Sequence, residues 1–116
     1  MAQMIYKILT IAADAQLQRN ASLAPVGSDA ADGFVHFSTA AQLEPTLDAH
    51  FSGHDDLMIL AVDVAACGAA LRWELSRDGG LFPHLYGPLS KDMVAARFKL
   101  NSVRNGLTAF LNGAAA

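Results

Sequence analysis

Residues 57–64 have the sequence LMILAVDV, and their first six positions form the longest apolar run in the chain. A nearly continuous apolar run of this length is typical of a strand at the centre of a sheet, where both faces are covered. The run stops at Asp63 and is far shorter than the roughly 20 residues that a membrane-spanning helix needs. We therefore expect residues 57–64 to be the core strand of the fold.

Four further segments have the composition of strands, with β-branched or aromatic side chains and few charges. They are residues 4–9, 34–38, 71–74 and 93–100. Apolar and polar side chains alternate along residues 93–100, and both this segment and residues 71–74 suit antiparallel pairing with one solvated face. Residues 22–33 are rich in Gly, Pro, Ser and Asp and are predicted to be a loop.

Helical patterns lie between the predicted strands. Residues 11–21 have good helix propensity but few large apolar anchors, and Val103, Leu107, Phe110 and Leu111 have helical spacing near the end of the chain.

A third helix is predicted from about residue 39 to Phe51, because Thr39 and Gln42 have capping-box spacing. Pro45 conflicts with this prediction, since proline inside a helix removes a hydrogen bond and clashes with the preceding turn. Either the helix is kinked at Pro45 or it begins later than Thr39.

Composition and charge exclude several classes of protein. The 116 residues are 53% hydrophobic and 16% charged, which predicts one folded domain spanning residues 1–116 rather than a disordered chain. The net charge of −3 gives no general attraction for nucleic acid or for an anionic membrane. Cys67 is the single cysteine, so no intrachain disulfide forms, and a reducing cytoplasmic location is expected. We find no signal-peptide pattern.

Charge is divided unevenly along the chain. Residues 1–70 carry two basic and eight acidic side chains, whereas residues 71–116 carry six basic and three acidic ones. Such an asymmetry is compatible with a positive wall facing an anionic ligand, and equally with an ordinary solvated surface.

The segment GFVHFST, residues 33–39, places a histidine where a predicted strand meets a capped helix. His36 and Ser38 share one face of the strand. A helix N-terminus attracts anions, so Ser38 and Thr39 are candidates to hold a phosphate or a carboxylate. The alternative is that His36 is a satisfied core residue and that Thr39 or Ser38 only caps the helix.

The segment LFPHLYGP, residues 81–88, is predicted to be a loop rigidified by its two prolines. His84 and Tyr86 are two residues apart and face the same side in extended backbone. The alternative is an ordered connector in which Phe82 and Leu85 fill the core. Glu74, beside Trp73, is a further candidate because a carboxylate in an apolar strand invites a partner; a plain solvent-facing glutamate is equally compatible.

Other reactive side chains have weaker patterns. His50 and His54 are four residues apart, but Ser52 and Gly53 interrupt the helix that would align them, so no metal site is expected. Cys67 has no basic neighbour to activate it as a nucleophile.

Four motifs together resemble the family known as domain of unknown function 952, a family of small bacterial proteins. They are IYKILT, DGFVHFSTAAQL, LRWE and LFPHLYGPL. The chain departs from the family at Pro45 and in its first helix, which lacks a tryptophan that the family commonly has. The fold of that family resembles ADP-ribosyltransferases and RNA 2′-phosphotransferases. The resemblance therefore implies an α+β fold with a mostly antiparallel split β-core and attached helices, and an NAD-like or ADP-ribose-like ligand.

Three hypotheses for function follow and stay open at the level of sequence. The first is a divergent ADP-ribosyltransferase-like enzyme with a pocket between the HFS strand and the FPHLY loop, in which His36 and Glu74 are catalytic. The second is a module that binds a nucleotide-like or other small anionic metabolite in the same pocket without catalysis. The third is a structural or partner-binding module whose His and Tyr motifs determine the fold. The expected ligand-binding residues are Phe37, Ser38, Thr39, Trp73, Phe82, His84 and Tyr86.

Overall fold

The computed structural model of the protein describes residues 3–76 and 79–115 and shows an α+β fold with antiparallel sheets. Within these residues the strands are β1 (Met4–Thr10), β2 (Ser22–Leu23), β3 (Val35–His36), β4 (Asp56–Asp63), β5 (Leu71–Leu75), β6 (Leu81–Leu85), β7 (Leu89–Ser90) and β8 (Val94–Asn101). The helices are α1 (Ile11–Asn20), α2 (Ser28–Asp32), α3 (Ala40–His50), α4 (Val64–Cys67) and α5 (Leu107–Ala115). None of these helices is long and apolar enough to cross a membrane.

The strands form two three-stranded sheets, β1-β4-β8 and β3-β6-β5, and a small β2-β7 pair. Strand β4 is the centre of the first sheet and pairs antiparallel with both neighbours. Ile59, Leu60, Ala61 and Val62 are completely buried, because the apolar run of β4 is covered on both faces. The prediction of a central strand at this segment is therefore confirmed.

An isolated bridge joins β1 to the segment that directly follows β3. The backbone N–H of Tyr6 donates to the carbonyl of Ser38 over 2.7 Å, and the N–H of Ser38 donates back over 2.9 Å. The chain thus leaves β6 after β3 and pairs briefly with β1. This crossing places His36 of β3 beside Lys7 of the edge strand β1.

Two apolar clusters cover the two faces of the β1-β4-β8 sheet. One cluster contains Ile5, Leu60 and Val62 and packs against α1 and the β3-β6-β5 sheet. The other contains Tyr6 and Ile59 and packs against α3 and α5. Side chains alternate along β1 and β4, so each of these strands contributes residues to both layers of the core.

The predicted loop at residues 81–88 is wrong, because its first five residues are β6, the central strand of the β3-β6-β5 sheet. Pro83 lacks the N–H that a central strand normally donates. Its carbonyl accepts the N–H of Phe37 over 3.0 Å. The nitrogen of Pro83, which has no hydrogen to donate, faces the same side as this carbonyl. On that side the chain turns away from β6 towards β1. The sheet accommodates the proline because its pairing with β3 ends there.

The predicted loop at residues 22–33 is also wrong in part, because it contains β2 and α2. Helix α2 is only five residues long and ends at Gly33, whose φ of 85° is the left-handed conformation that glycine adopts readily. Its Asp29 is buried and bonded to residues of β1 and β3. These distant contacts stabilise a helix that local sequence signals do not predict.

Helix α3 begins at Ala40, directly after its N-cap Thr39, so Pro45 does not delay the start of the helix. Thr39 and Gln42 form the predicted capping box, and the helix continues past Pro45 to His50. The expected helical pattern that started at Val103 is wrong at that residue, which lies in the turn before α5 and is 79% exposed.

Candidate functional site

One face of the β3-β6-β5 sheet carries most of the polar and aromatic side chains that the sequence singles out. The register pairs His36 with His84 and His84 with Arg72, so three basic side chains lie in one row across three adjacent strands. Period-two alternation adds neighbours from the same strands to this face. We call the following set the aromatic face: Phe34, His36, Arg72, Glu74, Phe82, His84 and Tyr86.

Phe34 lies at the centre of the ring contacts on this face. Its ring stacks on His84, with 4.1 Å between centroids and 28° between planes. It also contacts the His36 and Tyr86 rings at centroid distances of 4.6 and 5.2 Å. The two-residue spacing from His36 is the sequence signal that places Phe34 here, although we did not predict it as a site residue.

His36 is held between two carboxylates of α2. Its Nδ1 lies 2.5 Å from Oδ1 of Asp29, and its Nε2 lies 2.9 Å from Oδ2 of Asp32. A neutral imidazole has one N–H, whereas the protonated ring donates from both nitrogens. Both ring nitrogens of His36 therefore face carboxylate oxygens, and neither is free for the catalytic role that the sequence predicted for His36.

Asp29 connects His36 to a buried lysine. Lys7 Nζ donates to Oδ2 of Asp29 over 2.7 Å and to the carbonyl of His36 over 3.0 Å. Burial alone raises the pKa of the Asp29 carboxyl, but the hydrogen bond from His36 and the nearby Lys7 ammonium outweigh burial and lower it. Burial lowers the pKa of Lys7, against the opposing effect of Asp29. Lys7 and Asp29 were not predicted as partners, because 22 residues separate them.

A second network lies on the other side of the row. Glu74 Oε1 accepts the Tyr86 hydroxyl over 2.7 Å and lies 2.8 Å from Nδ1 of His84. The hydrogen bond from Tyr86, followed by that from His84, lowers the pKa of Glu74, and the same carboxylate raises the pKa of Tyr86. Glu74 is therefore an ionised acceptor at neutral pH, and Tyr86 is a neutral donor.

Arg72 completes the row and is exposed. Its guanidinium carbon lies 5.0 Å from the centroid of the Tyr86 ring, within the range of a cation–π contact. Among the described residues Arg72 forms no hydrogen-bonded ion pair, in contrast to Lys7 and His36. The two-residue spacing from Glu74 is the sequence signal that places Arg72 on this face, although Arg72 was not predicted as a site residue.

The remaining predicted site residues lie elsewhere. The Phe37 side chain is buried in the core, Ser38 is buried and bonded to Tyr6 and Thr46, and Thr39 caps α3. Trp73 is 37% exposed on the opposite face of β5.

Phe82 shares the aromatic face, but the expected pocket between the two motifs is wrong, because the HFS strand pairs directly with β6. The surface available to a ligand is the face of these strands.

Reactive groups away from the aromatic face are less suited to chemistry. Burial, followed by the nearby Asp63 carboxylate, raises the pKa of the Cys67 thiol and keeps it protonated. Within residues 3–76 and 79–115, no three His, Cys, Asp or Glu side chains are grouped to hold a metal ion. A groove of about 320 Å³ at the far ends of α3 and β8 is lined by residues that include Phe51, His54 and Arg104.

Comparison with known proteins gives a family but no curated relative. The family model described as "Protein of unknown function (DUF952)" matches residues 8–97. The crystal structure of protein CC0527 from Caulobacter crescentus is similar, with 35% identity, a TM-score of 0.85, and coverage of 94% of this chain and 98% of that chain. The solution NMR structure of CC0527 has 38% identity, a TM-score of 0.77 and 84% coverage of each chain. No curated protein matches. Since the family model spans most of the sequence, this chain belongs to the DUF952 family.

Proposed function

We propose that the protein binds a small anionic ligand that carries a planar ring, of the nucleotide type, on the aromatic face. The observation that supports this most is the row of His36, His84 and Arg72 across three strands, directly beside the rings of Phe34 and Tyr86. The arginine guanidinium attracts phosphate or carboxylate, and aromatic rings at the surface offer a stacking surface for a base or a nicotinamide.

The accessible part of this row is Arg72. The two histidines already contact carboxylates, whereas the Arg72 guanidinium is exposed and lies over Tyr86. Guanidinium groups bind carboxylate and phosphate through two parallel hydrogen bonds. Arg72 therefore supplies the charge that holds the ligand, and Tyr86, which is 40% exposed, supplies the ring surface.

The resemblance to ADP-ribosyltransferases suggests which ligand to test, because it implies NAD or ADP-ribose. We use it to choose the first compounds for a binding experiment. The aromatic face itself favours any ligand that combines an anionic group with a flat ring.

Isothermal titration with NAD, ADP-ribose and nucleoside mono- and diphosphates tests the proposal. We expect saturable binding by at least one compound, and about 10- to 100-fold weaker binding by Arg72→Ala, since a hydrogen bond to a charged group contributes about 1.5–3 kcal/mol. Lys99→Ala is the matched control, because Lys99 is an exposed cation on β8.

Equal affinities for the Arg72→Ala and Lys99→Ala proteins would contradict the assignment of this face. Failure of every compound in the panel to bind would favour the alternative of a structural or partner-binding module. One observation supports that alternative for His36. This residue is bonded to Asp29 of α2, and Asp29 is bonded in turn to Lys7 of β1. Among the described residues Arg72 forms no such hydrogen bond, so its substitution should weaken ligand binding without destabilising the fold.

A further inference from the structure

Resting on the proposed function, we propose that His84 is a general base that activates water to hydrolyse a phosphate ester or anhydride of the bound ligand. The two histidines of the row differ in what their nitrogens contact. His36 has a carboxylate at each nitrogen, whereas His84 has one at Nδ1 only. His84 is therefore the histidine with a nitrogen free for chemistry.

Nε2 of His84 is not fully sealed off from solvent. No hydrogen-bond partner of this atom is present in residues 3–76 and 79–115, and no unpartnered side-chain nitrogen or oxygen there is fully buried. The His84 side chain is 9% exposed, and the Phe34 ring stacks on its imidazole. The ring is thus held by Phe34 and Glu74, and Nε2 is its nitrogen without a partner.

Glu74 fixes the tautomer of His84. An ionised carboxylate only accepts hydrogen bonds, so its contact with Nδ1 requires that nitrogen to carry the proton. The lone pair of neutral His84 is then on Nε2. The Tyr86 hydroxyl holds the same carboxylate oxygen from the other side, so Glu74 and Tyr86 are positioning residues. This arrangement of carboxylate, imidazole and open nitrogen is what general-base catalysis requires.

The proposed step balances with water as the only co-reactant. Nε2 takes one proton from a water molecule while the water oxygen forms a bond to phosphorus. The phosphorus–oxygen bond to the leaving group breaks, and its electron pair goes to the leaving oxygen. His84 then returns the proton to that oxygen. Arg72, the neighbour of His84 on β5, lies where it can neutralise charge on the phosphoryl oxygens.

Hydrolysis in ¹⁸O-labelled water tests the step with ADP-ribose and with nucleoside diphosphates, measured by mass spectrometry. We expect one labelled oxygen in a phosphate-containing product for each bond cleaved. His84→Asn keeps a donor towards Glu74 but has no base, and we expect it to bind ligand while its turnover falls by about 10²- to 10⁴-fold. His54→Asn, at an exposed histidine of the distant groove, is the control and should keep full turnover.

The pH dependence of turnover distinguishes a base from a structural histidine. A general base acts only in its unprotonated form, so turnover of the wild type should fall in acid, and the pH dependence should differ in Glu74→Gln. The groups that face His84 are Glu74 and Arg72 from β5, His36 from β3 and Tyr86, which directly follows β6.

Binding without any labelled product would overturn the general-base role and leave the proposed function standing. Turnover of His84→Asn within about threefold of the wild type would overturn it as well. If no compound of the panel binds, the proposed function fails, and the general-base role fails with it.

Discussion

Substitution of Asp29 by asparagine removes the one carboxylate that serves both Lys7 and His36. Asp29 Oδ2 accepts Lys7 Nζ, and Oδ1 contacts both the backbone N–H and the Nδ1 of His36. Asparagine has nearly the same shape, so the change mainly removes a negative charge. Lys7 is 8% exposed and is left with the His36 carbonyl as its partner.

The expected cost follows from this burial. Removing one partner of a buried ion pair costs about 3–5 kcal/mol, because the remaining charge is uncompensated. For a chain of 116 residues the entropy of unfolding makes each kcal/mol equivalent to about 4 °C. We therefore expect Asp29→Asn to lower the melting temperature by about 12–20 °C in a calorimetric or fluorescence-monitored unfolding experiment.

The charge-removing double variant Lys7→Met/Asp29→Asn is the control for this reasoning. Methionine has a similar length to lysine and suits an apolar core face, so the second substitution should recover most of the lost stability. A loss below about 1 kcal/mol for Asp29→Asn, or no recovery in the double variant, would refute the view that a buried charge carries the effect.

The pH dependence of unfolding gives an independent check on the same residue. The pKa of Asp29 is lowered in the folded state, so its contribution to stability is present above the unfolded carboxyl pKa and is lost as pH falls through the folded pKa. The wild type should lose stability in this acid window. The stability of Asp29→Asn should fall less steeply there, because asparagine does not titrate.

Three further substitutions and one control test local features of the fold, each by its effect on the free energy of unfolding in urea. Thr39→Ala removes the side chain that caps α3 and should cost about 1 kcal/mol. Ala21→Gly should raise stability by up to about 1 kcal/mol, because Ala21 has a φ of 62° and glycine adopts this conformation without strain. Gly106→Ala should cost about 1–3 kcal/mol, since φ is +85° and the added Cβ would lie 3.2 Å from Phe98. Gly113→Ala, in open space within α5, should show no loss.

The sheet strands with clear periodicity could be predicted from the sequence. The apolar run of β4 and the alternation along β8 each depend on side chains within the segment, and both strands lie within one residue of their predicted bounds. The capping box of α3 is equally local, and it fixes the helix start despite Pro45. Local signals suffice where a segment's own side chains determine its conformation.

The elements that were missed depend on distant contacts. Helix α2 has no apolar stripe, and its buried Asp29 is stabilised by Lys7 from β1. Strand β6 contains a proline, and its central position depends on where β3 turns towards β1. Neither contact has a signature in a single sequence. Tertiary context therefore overrides the loop composition of residues 22–33 and 81–88.

The candidate site was predictable in part for the same reason. Two-residue spacing correctly groups His84 with Tyr86 along one strand, but it does not reveal which strands are neighbours. The pairing of β3, β6 and β5 brings His36, His84 and Arg72 into one row. Without that pairing, the exposed Arg72 had no reason to be preferred over other surface cations.

The two histidines of the row connect stability and chemistry in different ways. His36 contacts two carboxylates of α2, so it helps to hold that short helix against the sheet. His84 receives its carboxylate from the neighbouring strand β5 and stacks on Phe34, so its orientation does not depend on the carboxylates of α2. Substitutions in α2 should therefore affect folding first and the ligand only indirectly. Substitutions at Glu74 should leave the fold intact and change the behaviour of His84, because Glu74 is partly exposed and its partners lie on the aromatic face.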